Sequence, residues 1–212
     1  MKERPKILIS RPCHSHYEYE NDISLHNMKV TTQNAGYSCL FHFNKGSNIV
    51  KSRINGVETA KQCGAKWILF VDSDMLVCDD SLIRLLKWDS HIISGTAVNK
   101  QPPFATVAIK DGKRIRYKPT GRIEVDEVGF GFILIKMAVF DMLVSPYFKM
   151  EADIGEDFYF CRKARKCGYK IFVDGDCIIG HIGTYIYSID DLIPENENIP
   201  LLVDSGGKVL VQ

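Results

Sequence analysis

The stretch WILFVDSDMLVCDDSLIRLL, residues 67–86, changes abruptly from apolar to acidic. Residues 67–71 are all apolar, as is typical of a strand buried on both faces of a sheet. Asp72, Ser73 and Asp74 follow without a break. Because two unpaired carboxylates are costly to bury, we expect this strand to end at the edge of a sheet and the aspartates to meet a ligand there.

Strands and helices alternate around this stretch. The alternation predicts an α/β domain whose central sheet is mostly parallel and has helices on both faces. In such sheets ligands bind beyond the carboxyl ends of the strands, where Asp72 and Asp74 are expected to lie. In the first half, the pattern predicts strands at 6–10, 37–43, 66–71 and 91–95, helices at 48–63 and 81–88, and a helix cap at Asp79 or Asp80.

The second half begins with a different pattern. Residues 104–118 predict an antiparallel hairpin around a tight Asp111-Gly112 turn. Further on, the pattern predicts helices at 138–144 and 156–167, strands at 125–136, 170–173 and 177–179, a tight turn at 180–183, and a surface loop or lid at 190–198. The hairpin region is locally basic, with Lys110, Lys113, Arg114, Arg116, Lys118 and Arg122 against Asp111 alone.

Composition predicts one folded domain over residues 1–212. The chain has 45% hydrophobic and 25% charged residues, which excludes a disordered or fibrous protein. Its formal net charge is +1, so any attraction to polyanions requires a local patch. No apolar run suits a signal peptide or reaches the roughly 18 residues of a membrane span, and we expect a cytoplasmic protein. Seven scattered cysteines without a C-x-x-C pair are interpreted as reduced thiols.

Asp72 and Asp74 are two positions apart, so in an extended segment both carboxylates would lie on the same side. Such a pair can hold Mg²⁺ or Mn²⁺, which prefer oxygen ligands and often share them with substrate phosphates. The alternative is that the aspartates only cap a helix or meet solvent.

Three further residues carry chemistry later in the chain. Glu156 and Asp157 begin a predicted helix, where the helix dipole favours negative charge. One of these carboxylates can accept a proton from an attacking hydroxyl, although simple capping of the helix is the alternative. His181 lies between glycines in GHIG and is an acceptable third ligand for Mn²⁺.

The segments FVDSDMLVCDDSLIRLLKWDSHIISGTAVNK, VDEVGFGFILIK and GEDFYFCRKARKCGYKIFVDGDCIIGHIG occur in this order. Together they resemble the small family-2-type glycosyltransferases of the GT-A fold, including bacterial and phage enzymes, over roughly residues 48–184. The resemblance implies a Rossmann-like GT-A domain and transfer from a nucleotide-diphosphate sugar with a divalent metal. It also implies a nucleotide-sugar-binding half at about 1–100, an acceptor and catalytic half at about 101–184, and a tail or lid at 185–212.

The resemblance also implies roles for individual residues. Asp72, Ser73 and Asp74 match the D-x-D motif, in which the second aspartate binds the metal that holds the diphosphate and the first lies near the ribose or metal. Glu156 and Asp157 match the E-D motif, whose aspartate is the base in inverting members. The other implied residues are His181 on the metal, Arg11, Pro12 and Arg53 near the donor nucleotide, and Gly129, Phe130 and Gly131 in the acceptor and sugar pocket.

Several alternatives remain open at this stage. A retaining transferase, a nucleotidyltransferase and a non-catalytic binding module all fit parts of the pattern. Arg53 can equally be an exposed helix cation, and the paired glycines can mark a tight strand crossing. The acceptor hydroxyl can belong to a modified DNA base, a saccharide or a protein, since the basic hairpin can either bind a polyanion or simply be solvated.

Overall fold

The computed structural model describes residues 4–13, 18–46, 48–101, 104–183 and 186–192, together with the backbone of two short strands at 202–203 and 209–210. Fifteen strands are present in these residues: β1 Lys6–Cys13, β2 Ser38–Lys45, β3 Trp67–Val71, β4 Met75–Leu76, β5 Ile92–Thr96, β6 Ala108–Lys110, β7 Lys113–Arg114, β8 Arg122–Val125, β9 Glu127–Val128, β10 Phe132–Lys136, β11 Ile171–Ile178, β12 Gly180–Ile182, β13 Ile186–Tyr187, β14 Leu202–Val203 and β15 Val209–Leu210. The helices are α1 Tyr19–Asn34, α2 Ile49–Gln62, α3 Ser81–Lys87, α4 Ala138–Met142 and α5 Glu156–Lys166, with a 3₁₀ turn at Ile189–Asp191.

A seven-stranded sheet in the order β2-β1-β3-β10-β5-β11-β8 forms the centre of the fold. Strands β2, β1, β3, β5 and β11 run in one direction, and β10 and β8 run against them. Because β10 lies between β3 and β5, the second half of the chain is built into the same sheet as the first. The prediction of a mostly parallel α/β sheet is confirmed.

Helices cover both faces of this sheet. Apolar residues of α1 and α3, such as Leu25 and Leu82, pack with Ile9 and Leu69 on one face. On the other face, α2, α4 and α5 pack against Leu8 and Phe70 through residues that include Val57, Phe140 and Phe160. Helix α2 begins at Asn48, whose side chain accepts a hydrogen bond from the Lys51 N–H, as expected for an N-cap.

The predicted hairpin is confirmed and is part of a second sheet. Asp111 and Gly112 have φ values of 51° and 75°, the left-handed conformations that a tight two-residue turn requires. Strands β6 and β7 flank this turn, and β9 pairs with the other edge of β6. The hairpin therefore stands beside the start of the segment that leads into β10.

Four local predictions are wrong. Strand β1 does not end before Arg11 and Pro12, because its pairing with β2 extends to Cys13. Its pairing with β3 ends at Ser10, so Pro12 faces no strand on the β3 side that would require a backbone N–H. Residues 171–178 form one strand with an irregularity, not two strands. Residues 180–182 form strand β12, not a tight turn. Asp80 precedes α3, but its side chain makes no cap hydrogen bond.

Two other sequence predictions concern the termini and the cysteines. Most of the loop or lid predicted at 190–198, from residue 193 onward, lies outside the described residues. The six cysteines whose side chains are described carry free thiols. In the part of the chain that the structure describes, no helix is both long and apolar enough to cross a membrane.

Candidate active site

The acidic segment after β3 is a turn rather than an extended strand. The N–H of Met75 donates to the carbonyl of Asp72 at 3.4 Å, and the N–H of Asp72 donates to the carbonyl of Gly131 at 3.0 Å. The extended segment on which the same-side prediction depended is therefore not present, and Asp72 and Asp74 have different ion-pair partners. The segment still lies beyond the carboxyl end of β3, where α/β sheets bind ligands.

Asn21 of α1 holds this turn in place and is a residue that the sequence analysis missed. It is fully buried, and its amide donates to the carbonyl of Met75 at 2.5 Å and to that of Asp72 at 3.3 Å. Its side-chain oxygen accepts a hydrogen bond from Arg11. Nothing in the sequence marks Asn21, because its importance comes only from the approach of α1 to the turn.

Arg53 joins the two acidic motifs. Its side chain is only 2% exposed and lies over the rings of Phe70 and Phe130. Its Nη2 is 2.8 Å from Oδ1 of Asp72, and its Nε is 3.5 Å from Oε1 of Glu156. The interpretation as an exposed helix cation is wrong, and Arg53 instead lies beneath the site. Separating a buried charge from its partners costs about 3–5 kcal/mol, so Arg53 fixes both carboxylates firmly.

Asp74 has different partners from Asp72. Its Oδ2 accepts a hydrogen bond from Lys100 Nζ at 2.7 Å and lies 3.4 Å from Nε2 of His181. Burial would raise the pKa of Asp74, but the hydrogen bonds from His181 and Lys100 outweigh it and lower the pKa to about 2. Lys100, which follows β5, was also missed, although it ends the TAVNK segment that carried the family resemblance.

His181 is held in one orientation by the backbone. Strand β12 pairs with β4, which places His181 opposite Met75 in the residue register. The Nδ1 of His181 is 2.9 Å from the carbonyl of Val98. A carbonyl can only accept, so Nδ1 donates this hydrogen bond and Nε2 is the ring nitrogen that faces Asp74. An imidazole oriented by a backbone carbonyl in this way is the usual arrangement of a metal-binding histidine.

Asp157 lies in the first turn of α5, next to Glu156. Burial raises the pKa of Asp157 to about 6, and the negative charges of Glu156 and Asp72 act in the same direction against the N–H of Phe158 and the charge of Arg53. The Phe158 N–H donates to Oδ1 of Asp157 at 2.7 Å. A carboxylate with this pKa is ionised at neutral pH and is basic enough to accept a proton from a hydroxyl group.

The segment Gly129-Phe130-Gly131 passes between the two acidic motifs. A methyl group on Gly129 would lie 3.7 Å from Oδ2 of Asp157, and one on Gly131 would lie 2.5 Å from the Cε of Met75. Phe130 is only 2% exposed, so its ring belongs to the core and not to a pocket. The assignment of Gly129, Phe130 and Gly131 to an acceptor and sugar pocket stays a prediction, in which Phe130 would contribute through its backbone.

The remaining predicted donor residues lie near the same edge of the sheet. Arg11 and Pro12 are buried near the end of β1, and Arg11 forms an ion pair with Asp22 at 2.6 Å. Ser73 is half-buried between the two aspartates, and its carbonyl accepts a hydrogen bond from the N–H of Glu18. The fold thus brings the ends of β1 and β3 together, as the α/β pattern predicts.

The charges of the site suit a divalent cation. The four carboxylates of Asp72, Asp74, Glu156 and Asp157 face two permanent cations, Arg53 and Lys100. Two ligand atoms 3.4 Å apart can both lie about 2.1 Å from one ion, as Asp74 and His181 would require. Among the described residues no group of three His, Cys, Asp or Glu side chains is arranged for a metal. Such a cation would need further ligands from phosphate and water, which is how Mg²⁺ is commonly bound.

Comparison with known proteins identifies the fold. Neither a protein-family model nor a curated protein sequence matches the chain. Among solved structures, A197 from STIV superposes with a TM-score of 0.64 at 16% identity, over 91% of this chain and 95% of that one. GalNAc-T7, solved with UDP, GalNAc and Mn²⁺, superposes with a TM-score of 0.54 at 12% identity, over 84% of this chain. The chain has the GT-A glycosyltransferase fold.

A third neighbour agrees with this assignment. It is a mutant of Drosophila β-1,4-galactosyltransferase 7 in complex with manganese, UDP-Gal and xylobiose, with a TM-score of 0.54 at 13% identity over 85% of this chain and 71% of that one. The GalNAc-T7 alignment takes in only 43% of the GalNAc-T7 chain. At these identities the comparisons establish the GT-A fold, and the activity must be argued from the site.

Proposed function

We propose that this protein is a metal-dependent glycosyltransferase that moves a sugar from a nucleotide-diphosphate sugar to an acceptor hydroxyl with inversion. The observation that carries the proposal is the meeting of two sets of residues at one edge of the sheet. Asp74 and the Nε2 of His181 form a pair with metal-ligand spacing. Asp157, whose pKa is raised to about 6 in part by the charge of Asp72, lies near the same acidic turn.

Asp74 and His181 would hold the divalent cation, which supplies Lewis-acid stabilisation of the charge on the leaving diphosphate. Asp72 is proposed to lie near the ribose or metal, fixed by Arg53. The proposed donor-binding residues are Ser73, Arg11, Pro12 and Arg53, the last acting from beneath through Asp72. In this assignment residues 1–100 mainly bind the donor and residues 101–184 mainly bind the acceptor, within a single domain.

Asp157 is the proposed base, with Glu156 as its charged neighbour. It takes the proton of the acceptor hydroxyl while the acceptor oxygen forms a bond to the anomeric carbon. The bond between that carbon and the diphosphate oxygen breaks with its electron pair going to the diphosphate. The side chain of Arg53 keeps Glu156 in place beside the base.

The acceptor is proposed to be a hydroxyl group on a modified DNA base, with a saccharide or protein hydroxyl as the alternative. The basic hairpin supports this, because Arg114 on β7 lies 5.9 Å over the ring of Phe158, the residue after the proposed base. Lys110, Lys113 and Lys118 are exposed and have no ion-pair partner within the described part of the chain. A polyanion could therefore lie along the hairpin and reach Asp157.

The proposed function is tested by incubating the protein with Mn²⁺ and a panel of sugar nucleotides and measuring the nucleoside diphosphate released. We expect Asp157→Asn to lower the turnover by about 10²–10⁴-fold, the usual contribution of a general base. Asp153→Asn, an exposed aspartate in the preceding loop, is the matched control and should retain full turnover.

Each alternative activity has its own readout. Release of pyrophosphate instead of a nucleoside diphosphate would indicate a nucleotidyltransferase. A product with the donor's anomeric configuration, determined by NMR, would indicate a retaining enzyme. Full turnover by a correctly folded Asp157→Asn variant would remove Asp157 as the base, and no turnover with any donor would favour a binding module.

A further inference from the structure

Lys100 is the most accessible cation that forms an ion pair at the proposed metal site. Its Nζ donates to Oδ2 of Asp74 at 2.7 Å and to the carbonyl of Ile182 at 3.3 Å. The same Oδ2 is the oxygen that lies 3.4 Å from Nε2 of His181. An ammonium group and an imidazole nitrogen therefore converge on one carboxylate oxygen.

An ammonium group and a divalent cation would compete for this oxygen. Two positive charges within about 3 Å of each other repel by more than 1 kcal/mol even in water, and by more where the site is partly dry. Lys100 can move away from Asp74, because its side chain is 36% exposed and its ammonium group is carried by a flexible alkyl chain. The Cδ of this chain lies beside Gly183. The buried Arg53, held by Asp72 and Glu156, has no comparable freedom.

Once displaced, the ammonium would remain within a side chain's reach of any diphosphate held at the site. Lysine binds phosphate as a mobile point charge, whereas arginine provides a fixed planar fork. Lys100 is therefore positioned to pair with Asp74 in the free protein and with the diphosphate in the donor complex.

Resting on the proposed function, we propose that Lys100 is the internal counter-cation of Asp74, that a divalent cation displaces it, and that its ammonium then binds the diphosphate of the donor. Lys100 is thus a positioning residue in the free protein and a donor-binding residue in the complex. The proposal predicts opposite effects of removing its charge on the two binding steps.

The first test measures Mn²⁺ binding without donor, from the loss of the free Mn²⁺ signal in electron paramagnetic resonance. Lys100→Met should bind Mn²⁺ about tenfold more tightly than the wild type, because the competing charge is gone. Lys100→Arg keeps the charge and should remain close to the wild type. Lys136→Met is the matched control, since Lys136 also forms a 2.7 Å ion pair, with Asp89, elsewhere in the fold.

The second test measures UDP and GDP binding to the Mn²⁺-saturated proteins by calorimetry. Whichever diphosphate the wild type binds should bind about tenfold more weakly to Lys100→Met. Thermal unfolding of each variant establishes that the fold is retained.

The outcomes separate this proposal from the proposed function. Equal or weaker Mn²⁺ binding by a folded Lys100→Met variant would overturn the role of Lys100 and leave the metal site standing. Unchanged diphosphate binding would overturn the second half of the proposal. Failure of both proteins to bind Mn²⁺ at millimolar concentrations would overturn the metal-dependent function itself, and the competition with it.

Discussion

At the scale of single residues, the neighbours of each aspartate in the site determine its pKa. Asp74 and Asp157 are both aspartates near the same edge of the sheet, yet their pKa values move in opposite directions. Burial raises the pKa of Asp157 to about 6, while the hydrogen bonds of Asp74 with His181 and Lys100 overcome burial and lower its pKa to about 2. This divergence is typical of sites in which one carboxylate binds a cation and another exchanges a proton.

The raised pKa of Asp157 predicts a pH-dependent change in stability. Between its ordinary pKa of 3.8 and about 6, the folded protein keeps a proton that the unfolded chain releases, so stability falls as the pH rises through this window. Asp157→Asn removes this penalty and can still accept the Phe158 N–H. We expect the variant to be more stable than the wild type by about 2 kcal/mol at pH 8, and by less at pH 5.

Urea unfolding at the two pH values measures this difference. The exposed Asp153→Asn variant should show no such pH-dependent gain. An identical gain for Asp157→Asn at both pH values would mean that ionisation of Asp157 is not its source.

At the scale of elements, a glycine allows the backbone of β11 to pack against the loop that precedes β8. Strand β11 carries an irregularity after Asp174, and the next residue, Gly175, packs directly against the backbone of the loop before β8. A methyl group at Gly175 would lie 2.4 Å from the carbonyl carbon of Pro119 and 2.6 Å from the amide nitrogen of Thr120. Because backbone atoms cannot rotate away as a side chain can, only glycine fits here.

Gly175→Ala is therefore expected to destabilise the protein by about 1–3 kcal/mol, the usual cost of overpacking a well-packed contact. Gly46→Ala is the matched control, because a methyl group there would meet nothing within 4 Å. The midpoint of urea unfolding should fall for Gly175→Ala and stay unchanged for Gly46→Ala. Equal midpoints would show that the Pro119 loop can move away at little cost.

At the scale of the whole molecule, charge is unevenly distributed despite a net value of +1. The acidic cluster lies at the edge of the central sheet, and the exposed lysines lie on the hairpin next to α5. The overall charge therefore attracts neither a cation nor a polyanion strongly. Each of the two surfaces can still bind its own partner.

This distribution predicts salt-sensitive binding of DNA through the hairpin. If about four cations contact phosphates, affinity should fall by about 100-fold between 50 and 200 mM salt. Replacing Lys113 and Lys118 by Glu should weaken binding and flatten the salt dependence, as measured by fluorescence anisotropy. Replacing the exposed Lys51 and Lys87 by Glu changes the net charge equally and should have little effect. Salt-independent binding would point to a saccharide or protein acceptor.

The order of strands and helices follows from the sequence because it depends on local patterns. The apolar run before Asp72 and the Asp111-Gly112 turn each predict their structure from neighbouring residues. Predictions fail where distant segments pair, as for β12, whose strand conformation depends on β4 more than a hundred residues earlier in the chain.

The sequence determined the sheet, its polar edge and the residue types that the site contains, because hydrophobic periodicity and turn chemistry are properties of short segments. Only the tertiary structure decided which charges meet. The packing of α2 on the sheet buried Arg53 between Asp72 and Glu156, and the approach of β12 placed His181 beside Asp74 with Lys100. Hydrogen bonds and ion pairs act over a few ångströms, and those distances are set by the packing of distant segments rather than by their order in the chain.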